Sequence, residues 1–255
     1  MATPKIRSAN SASTSTLAPD LSKNITLKDG QMYEVSLVKS ENLSSKAQDA
    51  IFRLFDDNML ALQRNSSFPY TEQSKREELF DPDARYVLIR RPSPSFSASK
   101  NDSNAPRITT SNGKAKGKGK GKDKEVQIDL TQEELMGFCG FRFDTEETLS
   151  SRDAEVVYCY EVQISLKSRG MGLGKTLLDV LKSIGKRRQL DKIMLTCLKN
   201  NESALAFYAK QGYTPDEIDP TRMNEEKSTD SDDMEEGSDT SDEEVDYRIL
   251  SKSLK

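Results

Sequence analysis

A glycine-rich turn, Arg-Gly-Met-Gly-Leu-Gly at 169–174, is the segment of this sequence that most directly predicts a ligand. It follows a predicted strand at 155–164 and opens a predicted helix that begins near Gly172. Backbone N–H groups at the N-terminus of a helix point outward, the helix dipole is positive there, and glycines let an anionic phosphate approach closely. The turn therefore predicts phosphate binding, with a plain glycine turn that binds nothing as the alternative.

Two common phosphate-binding motifs do not fit this turn. A Rossmann turn needs Gly-x-Gly-x-x-Gly, and Gly172-Leu173-Gly174 lacks the third glycine. A P-loop needs a glycine where this chain has Arg169. The turn is therefore neither a Rossmann turn nor a P-loop.

The composition excludes several other kinds of chemistry. The chain has no histidine, and its three cysteines, Cys139, Cys159 and Cys197, form no Cys-x-x-Cys pair. Zinc sites of the usual kind, haem ligation by histidine and a Ser-His-Asp triad are therefore excluded. Cysteines scattered among apolar neighbours are typical of buried thiols in a reducing compartment. We expect neither a membrane-spanning helix nor a secretory signal, because no apolar run is long enough.

Two segments of biased composition interrupt the chain. Residues 224–246 hold twelve acids and one lysine, and residues 113–124 hold six lysines and one aspartate. The rest is near neutral, so the net charge of −4 mostly reflects the acidic segment. At 34% hydrophobic and 31% charged residues, the 255-residue chain is too polar to pack throughout. We predict disordered insertions at 92–131 and 222–245, and a disordered tail or loosely packed arm at 1–27.

Hydrophobic periodicity predicts one mixed α/β domain over residues 28–255. The predicted strands are 32–40, 85–91, 135–144, 155–164, 192–198 and 246–254, and the predicted helices are 44–63, 172–189 and 200–213. This order places the glycine turn directly after the second of two long neighbouring strands.

The Arg-x-x-Gly-x-Gly turn, with the strand 192–198 and the segment 200–213 that follow, resembles the pyrophosphate-binding region of the GNAT superfamily of N-acetyltransferases. Within it, FRFD (141–144), YCYEVQ (158–163) and YRILSKSL (247–254) resemble the NatD-type histone-specific N-alpha-acetyltransferases. The earlier LFDDNMLAL (54–62) with KREEL (75–79) resembles the N-terminal helical region of the same enzymes. The resemblance implies a GNAT fold, with a mixed, mostly antiparallel sheet flanked by helices. It also implies acetyl transfer from acetyl-CoA to the N-terminal α-amine of histone four and histone two-A, whose tails begin Ser-Gly-Arg-Gly.

The same resemblance implies that the glycine turn and the elements beside it bind the coenzyme, with no metal. The implied coenzyme contacts are Gln163, Ile164, Ser165, Arg169, Gly170, Met171, Gly172, Leu173, Gly174, Lys175, Thr176, Thr196, Asn201 and Tyr208.

Glu161 is the expected proton acceptor. A protein α-amine has a pKa of about 7.7–8.0 and must lose a proton before it attacks, and a carboxylate acting through water suffices. Glu161 lies towards the end of a strand dense in aromatic residues, where burial would raise its pKa towards the working range. The alternative is a strand-end glutamate that faces solvent. The resemblance favours the catalytic role and implies Asp144 as a second catalytic candidate.

An aromatic and acidic set is implied to bind the peptide. The implied contacts are Asp144, Glu146, Tyr158, Tyr160, Tyr247 and Phe68. The two tyrosines of YCYEVQ lie two residues apart and share one face of their strand, for which packing in the core is the alternative. The family uses an acid at the position of Glu146 to hold an arginine of the substrate, and it has a tyrosine where this chain has Gln63.

We expect histone N-terminal tails as partners, no membrane, no direct nucleic-acid site, and a monomer in the nucleus and cytoplasm. Two alternatives stay open. One is a catalytically silent histone-binding protein that keeps the fold, and the other is a lysine side-chain acetyltransferase. The intact glycine turn and Glu161 favour an enzyme over a silent binder.

Overall fold

A single eight-stranded sheet organises the part of the chain that this computed structural model describes, residues 2–92, 127–222 and 245–255. The strands are β1 Asn24–Thr26, β2 Met32–Lys39, β3 Arg85–Arg90, β4 Leu135–Glu146, β5 Ala154–Ile164, β6 Lys192–Leu198, β7 Thr214–Pro215 and β8 Tyr247–Ser253. Across the sheet they lie in the order β1-β2-β3-β4-β5-β6-β8-β7. Only β5 and β6 pair in parallel among these neighbours.

Helices cover both faces of the sheet. They are α1 Pro4–Ser11, α2 Thr14–Leu17, α3 Ser45–Gln63, α4 Glu72–Leu79, α5 Leu173–Arg187 and α6 Glu202–Lys210. On one face Ile51 of α3 packs in a cluster with Leu88 of β3, and on the other Leu181 of α5 packs in a cluster with Val157 of β5. The predicted class, an α/β fold with a mixed, mostly antiparallel sheet flanked by helices, is confirmed. The predicted strands and helices are all present, while α1, α2, α4, β1 and β7 were not predicted.

A β-bulge in β5 reverses which face its side chains occupy. Gly140 of β4 pairs with Glu161, and the next residue, Phe141, pairs with Cys159, so Tyr160 is an extra residue on β5. Before the bulge Cys159 points towards the α5 face, and after it Val162 does. Because alternation shifts by one residue there, Glu161 points to the same face as the tyrosines of this strand.

The N-terminal segment differs from the expectation for 1–27. It forms α1 and α2, and Ile6, Ala9 and Leu17 are fully buried in the core. Arg85, 1% exposed, donates hydrogen bonds to three main-chain carbonyl oxygens of this segment. The Ser/Thr-rich composition was misleading because a threonine and a serine there are N-caps, and three well-spaced apolar residues suffice to dock the segment.

The predicted insertions mostly fall outside the described residues. Positions 93–126 and 223–244 are not described, so the prediction of disorder there stays a prediction. Residues 127–131 belong to the fold instead, because Ile128 bridges to Leu43 and Leu130 is 1% exposed. Helices within the described ranges lack the length and apolar character needed to cross a membrane.

Candidate active site

The strands β5 and β6 diverge and open a large cavity. They pair only where 156–158 meets 192–194. Beyond that point the cavity, of about 1640 Å³, lies between β5, β6, the start of α5 and α6, with α3 and α4 contributing to its wall. Pockets for one small ligand have roughly 300–1000 Å³, so this cavity has room for a coenzyme and the end of a peptide together.

The glycine turn lines this cavity and leads into α5. Gly172 is the N-cap of α5 with φ of +96°, a left-handed conformation that suits glycine, and a β-carbon there would meet nothing within 4 Å. The first turn of α5 has no acidic residue, so its free N–H groups present positive potential. Position 174 requires glycine for a different reason, because a β-carbon there would lie 2.8 Å from the Phe207 ring. The turn therefore fits the phosphates of acetyl-CoA.

Most of the expected coenzyme residues meet at the cavity. Those that line it are Gln163, Ile164, Arg169, Gly170, Gly172, Leu173, Gly174, Lys175, Thr196, Asn201 and Tyr208. Ser165, Met171 and Thr176 do not line it. Met171 packs against the core, and the Thr176 hydroxyl donates to the Gly172 carbonyl oxygen at 3.3 Å.

Glu161 lies inside the cavity wall with two hydrogen-bond donors on its carboxylate. Lys75 Nζ of α4 lies 2.8 Å from Oε1, and Gln163 Nε2 donates to Oε2 at 2.7 Å. Lys75 also pairs with Glu78 at 2.8 Å and sits 4.4 Å above the Phe55 ring. Glu161 is only 7% exposed, which excludes the alternative of a strand-end glutamate that faces solvent.

Burial and pairing act in opposite directions on this ion pair. Burial raises the pKa of the Glu161 carboxyl, although Lys75 and Gln163 partly offset the rise. Burial alone would lower the pKa of Lys75, but the charges of Glu161 and Glu78 raise it overall. Lys75 therefore stays charged while Glu161 is shifted towards the range in which a carboxylate exchanges protons with an amine.

A chain of hydrogen bonds links Glu161 to the glycine turn. Arg169 donates to Asn58 Oδ1 at 2.8 Å, and Asn58 Nδ2 donates to Gln163 Oε1 at 3.0 Å and to the Ile164 carbonyl oxygen at 3.2 Å. Gln163 in turn donates to Glu161, so three hydrogen bonds separate the turn from the carboxylate. Asn58 thus ties α3 to both parts of the cavity wall.

Tyr158 and Tyr160 line the cavity side by side. Their ring centroids are 4.8 Å apart, and the Tyr158 hydroxyl lies 2.7 Å from Thr196 Oγ1. The Arg142 guanidinium lies over the Tyr160 ring at 4.7 Å. Burial raises the pKa of Tyr158 to about 12 and raises that of Tyr160 as well, so both hydroxyls stay protonated and available as donors. Their half-buried position on the cavity disfavours the core-packing alternative.

The expected acidic residues lie next to this site rather than within it. Asp144 and Glu146 do not line the cavity. They lie on the part of β4 that pairs with the start of β5, and the charge of Glu146 contributes to the raised pKa of Tyr158. Burial, followed by the charge of Asp144, raises the pKa of Glu146. The structure therefore places Glu161, and not Asp144, on the cavity surface.

The aromatic residues expected at the peptide end pair with each other. Phe68 lines the cavity, and its ring meets that of Tyr247 edge-on at 5.0 Å, although Tyr247 does not line the cavity. Gln63 also lines it, and its buried Oε1 has no hydrogen-bond partner among the described residues.

Lys75 and Asn58 are site residues that the sequence did not identify. Both lie in segments with a recognisable resemblance, KREEL at 75–79 and LFDDNMLAL at 54–62. That resemblance was the available signal, but it carried no role for a single residue. Among the described residues, no group of three or more His, Cys, Asp or Glu side chains is placed to hold a metal ion.

A model of the acetyltransferase (GNAT) family matches residues 59–213 of this chain. The match covers more than half of the sequence, and the glycine turn at the divergence of two parallel strands agrees with it. The chain belongs to the GNAT acetyltransferase family. The expected enzyme class, an acetyltransferase with acetyl-CoA as the acyl donor, is thereby confirmed.

Several solved structures have a similar fold at low sequence identity. The NatC complex bound to Gag peptide and CoA is 14% identical, with 88% of this chain and 99% of that chain covered and a TM-score of 0.45. NAA60 of Arabidopsis thaliana in complex with a bisubstrate analogue is 10% identical, with 87% and 99% covered and a TM-score of 0.48. GCN5 of Tetrahymena is 10% identical, with 87% and 96% covered and a TM-score of 0.45.

The glycine turn provides a direct test of coenzyme binding. We expect Gly172→Val to weaken acetyl-CoA binding at least tenfold, because a β-branched residue cannot keep φ at +96° and the N–H groups of the turn would lose their alignment. Isothermal titration calorimetry with acetyl-CoA measures this, and circular dichroism checks the fold. Gly30→Val is the matched control, since Gly30 also has positive φ but lies outside the cavity. Equal affinity in wild type and Gly172→Val would contradict the assignment.

Proposed function

We propose that this protein transfers acetyl from acetyl-CoA to the N-terminal α-amine of histone four and histone two-A, whose tails begin Ser-Gly-Arg-Gly. The observation that carries the proposal is the position of Glu161, a buried carboxylate on the cavity wall beside two tyrosine hydroxyls. The segments FRFD, YCYEVQ and YRILSKSL add to it, because they resemble enzymes with this specificity.

Glu161 is suited to take the proton from the amine. Its two hydrogen bonds use one lone pair on each oxygen, and each oxygen keeps a second lone pair that accepts a proton directly or through a water molecule. The neutral amine then attacks the acetyl carbonyl carbon, the bond from that carbon to sulfur breaks, and one proton passes from the attacking nitrogen to the sulfur, so that CoA leaves as a thiol. The positive charge of Lys75 stabilises the ionised form of Glu161 before the transfer.

The spacing between Glu161 and the acidic pair suits an arginine at substrate position three. On β4 Asp144 lies four residues from Gly140, which pairs with Glu161, so the two carboxylates lie roughly 13 Å apart along the strand. Two extended residues beyond the amine span about 7 Å, and the long arginine side chain covers much of the remainder. Tyr158 and Tyr160 lie between the two ends and provide the walls of the path.

Mass spectrometry of a tail peptide tests the proposed function. A Ser-Gly-Arg-Gly peptide with internal lysines should gain one acetyl group on its α-amine after incubation with acetyl-CoA. The same peptide with a blocked N-terminus is the control and should stay unmodified. Acetyl groups on lysine would assign the enzyme to side-chain acetylation, and binding without turnover would assign a silent binder.

The acidic pair leads to a separate expectation about selectivity. Changing the arginine at substrate position three to alanine should lower kcat/KM about ten- to a hundredfold, because it removes a charge-assisted contact of about 1.5–3 kcal/mol with Asp144 and Glu146. Steady-state assays with both peptides measure it. A peptide with lysine at that position keeps the charge and should lose less. Equal rates on arginine and alanine peptides would remove the histone-tail specificity from the proposal.

A further inference from the structure

The hydrogen-bond chain from Arg169 to Glu161 has a fixed direction. Arginine can only donate, so the Asn58 oxygen must face Arg169. The Ile164 carbonyl oxygen can only accept, so the Asn58 amide nitrogen must face β5. Each contact fixes the same orientation independently, and together they leave Asn58 able to offer Gln163 only a donor.

The orientation of the Asn58 amide determines whether Gln163 presents its N–H or its oxygen to Glu161. Because Asn58 donates to Gln163 Oε1, the Gln163 amide group must point its N–H towards Glu161 Oε2. Gln163 is 5% exposed and Glu161 is 7% exposed, so water cannot readily take over these contacts. An N–H donor on this oxygen favours the ionised carboxylate over the protonated acid.

We propose that Asn58 is a positioning residue that fixes the Gln163 amide with its N–H on Glu161 and so ties the proton acceptor to the coenzyme turn. The inference rests on the proposed role of Glu161 for its effect on the reaction, but the orientation of Gln163 is independent of the substrate. Asn58 lies on α3, and it acts on the carboxylate through Gln163 without touching it.

The Asn58→Asp variant, which replaces the amide nitrogen by an oxygen, should reverse the direction of the hydrogen bonds through Gln163. In Asn58→Asp the new carboxylate can accept from Arg169 but cannot donate to Gln163. Gln163 then turns its N–H towards residue 58 and presents its oxygen to Glu161 Oε2. Two acceptors facing each other favour protonation of Glu161, and the added negative charge acts in the same direction.

The other groups around Glu161 stay the same in this variant. They are Lys75 and Glu78 of α4, Tyr70 of the segment before α4, Tyr86 of β3, Cys139 of β4 and Tyr208 of α6. Tyr70 is itself held by Asp56 of α3, whose carboxylate accepts from its hydroxyl at 2.7 Å. A change in the titration of Glu161 in the variant is therefore assigned to the reversed chain and the new charge.

The experiment is a carbon-13 NMR titration of the glutamate carboxyl groups in the coenzyme-free protein, with Glu161 assigned by its absence in Glu161→Gln. We expect Asn58→Asp to raise the pKa of Glu161 by about one pH unit. The acidic limb of the pH profile of kcat/KM should move to higher pH by the same amount, so kcat/KM should fall about tenfold on that side of the profile. Asn58→Ala frees Gln163 without reversing it and should shift the pKa less.

Asn200→Asp separates the effect of charge from that of direction. Asn200 also lines the cavity, where its amide donates to the Leu62 carbonyl oxygen at 3.0 Å, and within the described part of the chain no hydrogen bond joins it to Gln163. An unchanged pKa of Glu161 in folded Asn58→Asp would overturn the proposal, as would an equal shift in Asn58→Ala or Asn200→Asp. A raised pKa with an unmoved rate profile would support the positioning role and refute Glu161 as the proton acceptor.

Discussion

Replacing Glu161 by glutamine should lower kcat by about 10²–10⁴-fold while the affinity for acetyl-CoA changes little. Glutamine keeps the size of the side chain but cannot take a proton from the amine. Coenzyme affinity should persist because three hydrogen bonds separate residue 161 from Arg169 of the turn. Steady-state kinetics with a tail peptide and calorimetry with acetyl-CoA give the two quantities.

Glu78→Gln is the matched control for this experiment. Glu78 also pairs with Lys75 at 2.8 Å and lines the cavity, but its side chain is 46% exposed and we expect no proton transfer from the amine to it. Its loss should affect kcat far less than the loss of Glu161. Turnover of Glu161→Gln close to that of wild type would move the proton-acceptor role to Asp144 or to solvent.

Replacing Lys75 by methionine should lower the free energy of unfolding by about 3–5 kcal/mol at neutral pH, because it leaves the Glu161 carboxylate buried without its cation. Methionine retains the packing on Phe55. The loss depends on pH in a defined direction: without Lys75, folded Glu161 holds its proton to higher pH than the unfolded chain does. Stability should therefore fall as pH rises above the ordinary glutamate range, and the deficit should be small in acid. Urea unfolding at mildly acidic and at neutral pH measures the difference.

The neighbouring residue provides the control for the charge change. Arg76 pairs with Asp49 at 2.9 Å and with Glu72 at 2.8 Å at the surface, so Arg76→Met should cost about 1 kcal/mol or less. Adding Glu161→Gln to Lys75→Met should recover most of the lost stability and remove its pH dependence. A Lys75→Met protein as stable as wild type at neutral pH would mean that Glu161 is not held as a buried anion.

The sequence predicted the parts of the site that local patterns determine. The glycine turn and its helix follow from residue types at fixed offsets, and both occur as predicted. The placement of Glu161 needed more than strand alternation, which would have set it on the face opposite Tyr160. Only the bulge at Tyr160 brings them together, and a bulge depends on how β5 pairs with β4, which no local pattern in β5 records.

Lys75 shows a second limit of sequence reasoning. A lysine in a short polar helix is normally expected at the surface, and nothing in Glu72–Leu79 distinguishes a buried one. Its burial follows from the carboxylate opposite, which is contributed by a strand far away in the chain. Residues whose role depends on a distant partner become visible only when the fold is known.

The docking of α1 sets a temporal order on folding during synthesis. The Thr3 hydroxyl hydrogen-bonds to Glu155 and the Lys5 amine donates to the Gln189 carbonyl oxygen, contacts that span 152 and 184 residues. During synthesis α1 must therefore wait until the middle of the sheet has been made, which takes on the order of ten seconds at ordinary translation rates. Until β4 has been made, α1 lacks the strand on which it packs, so Ile6 and Ala9 stay without that part of the core. Although α1 comes early in this sequence, it completes the core late, only after the chain has been made as far as Gln189.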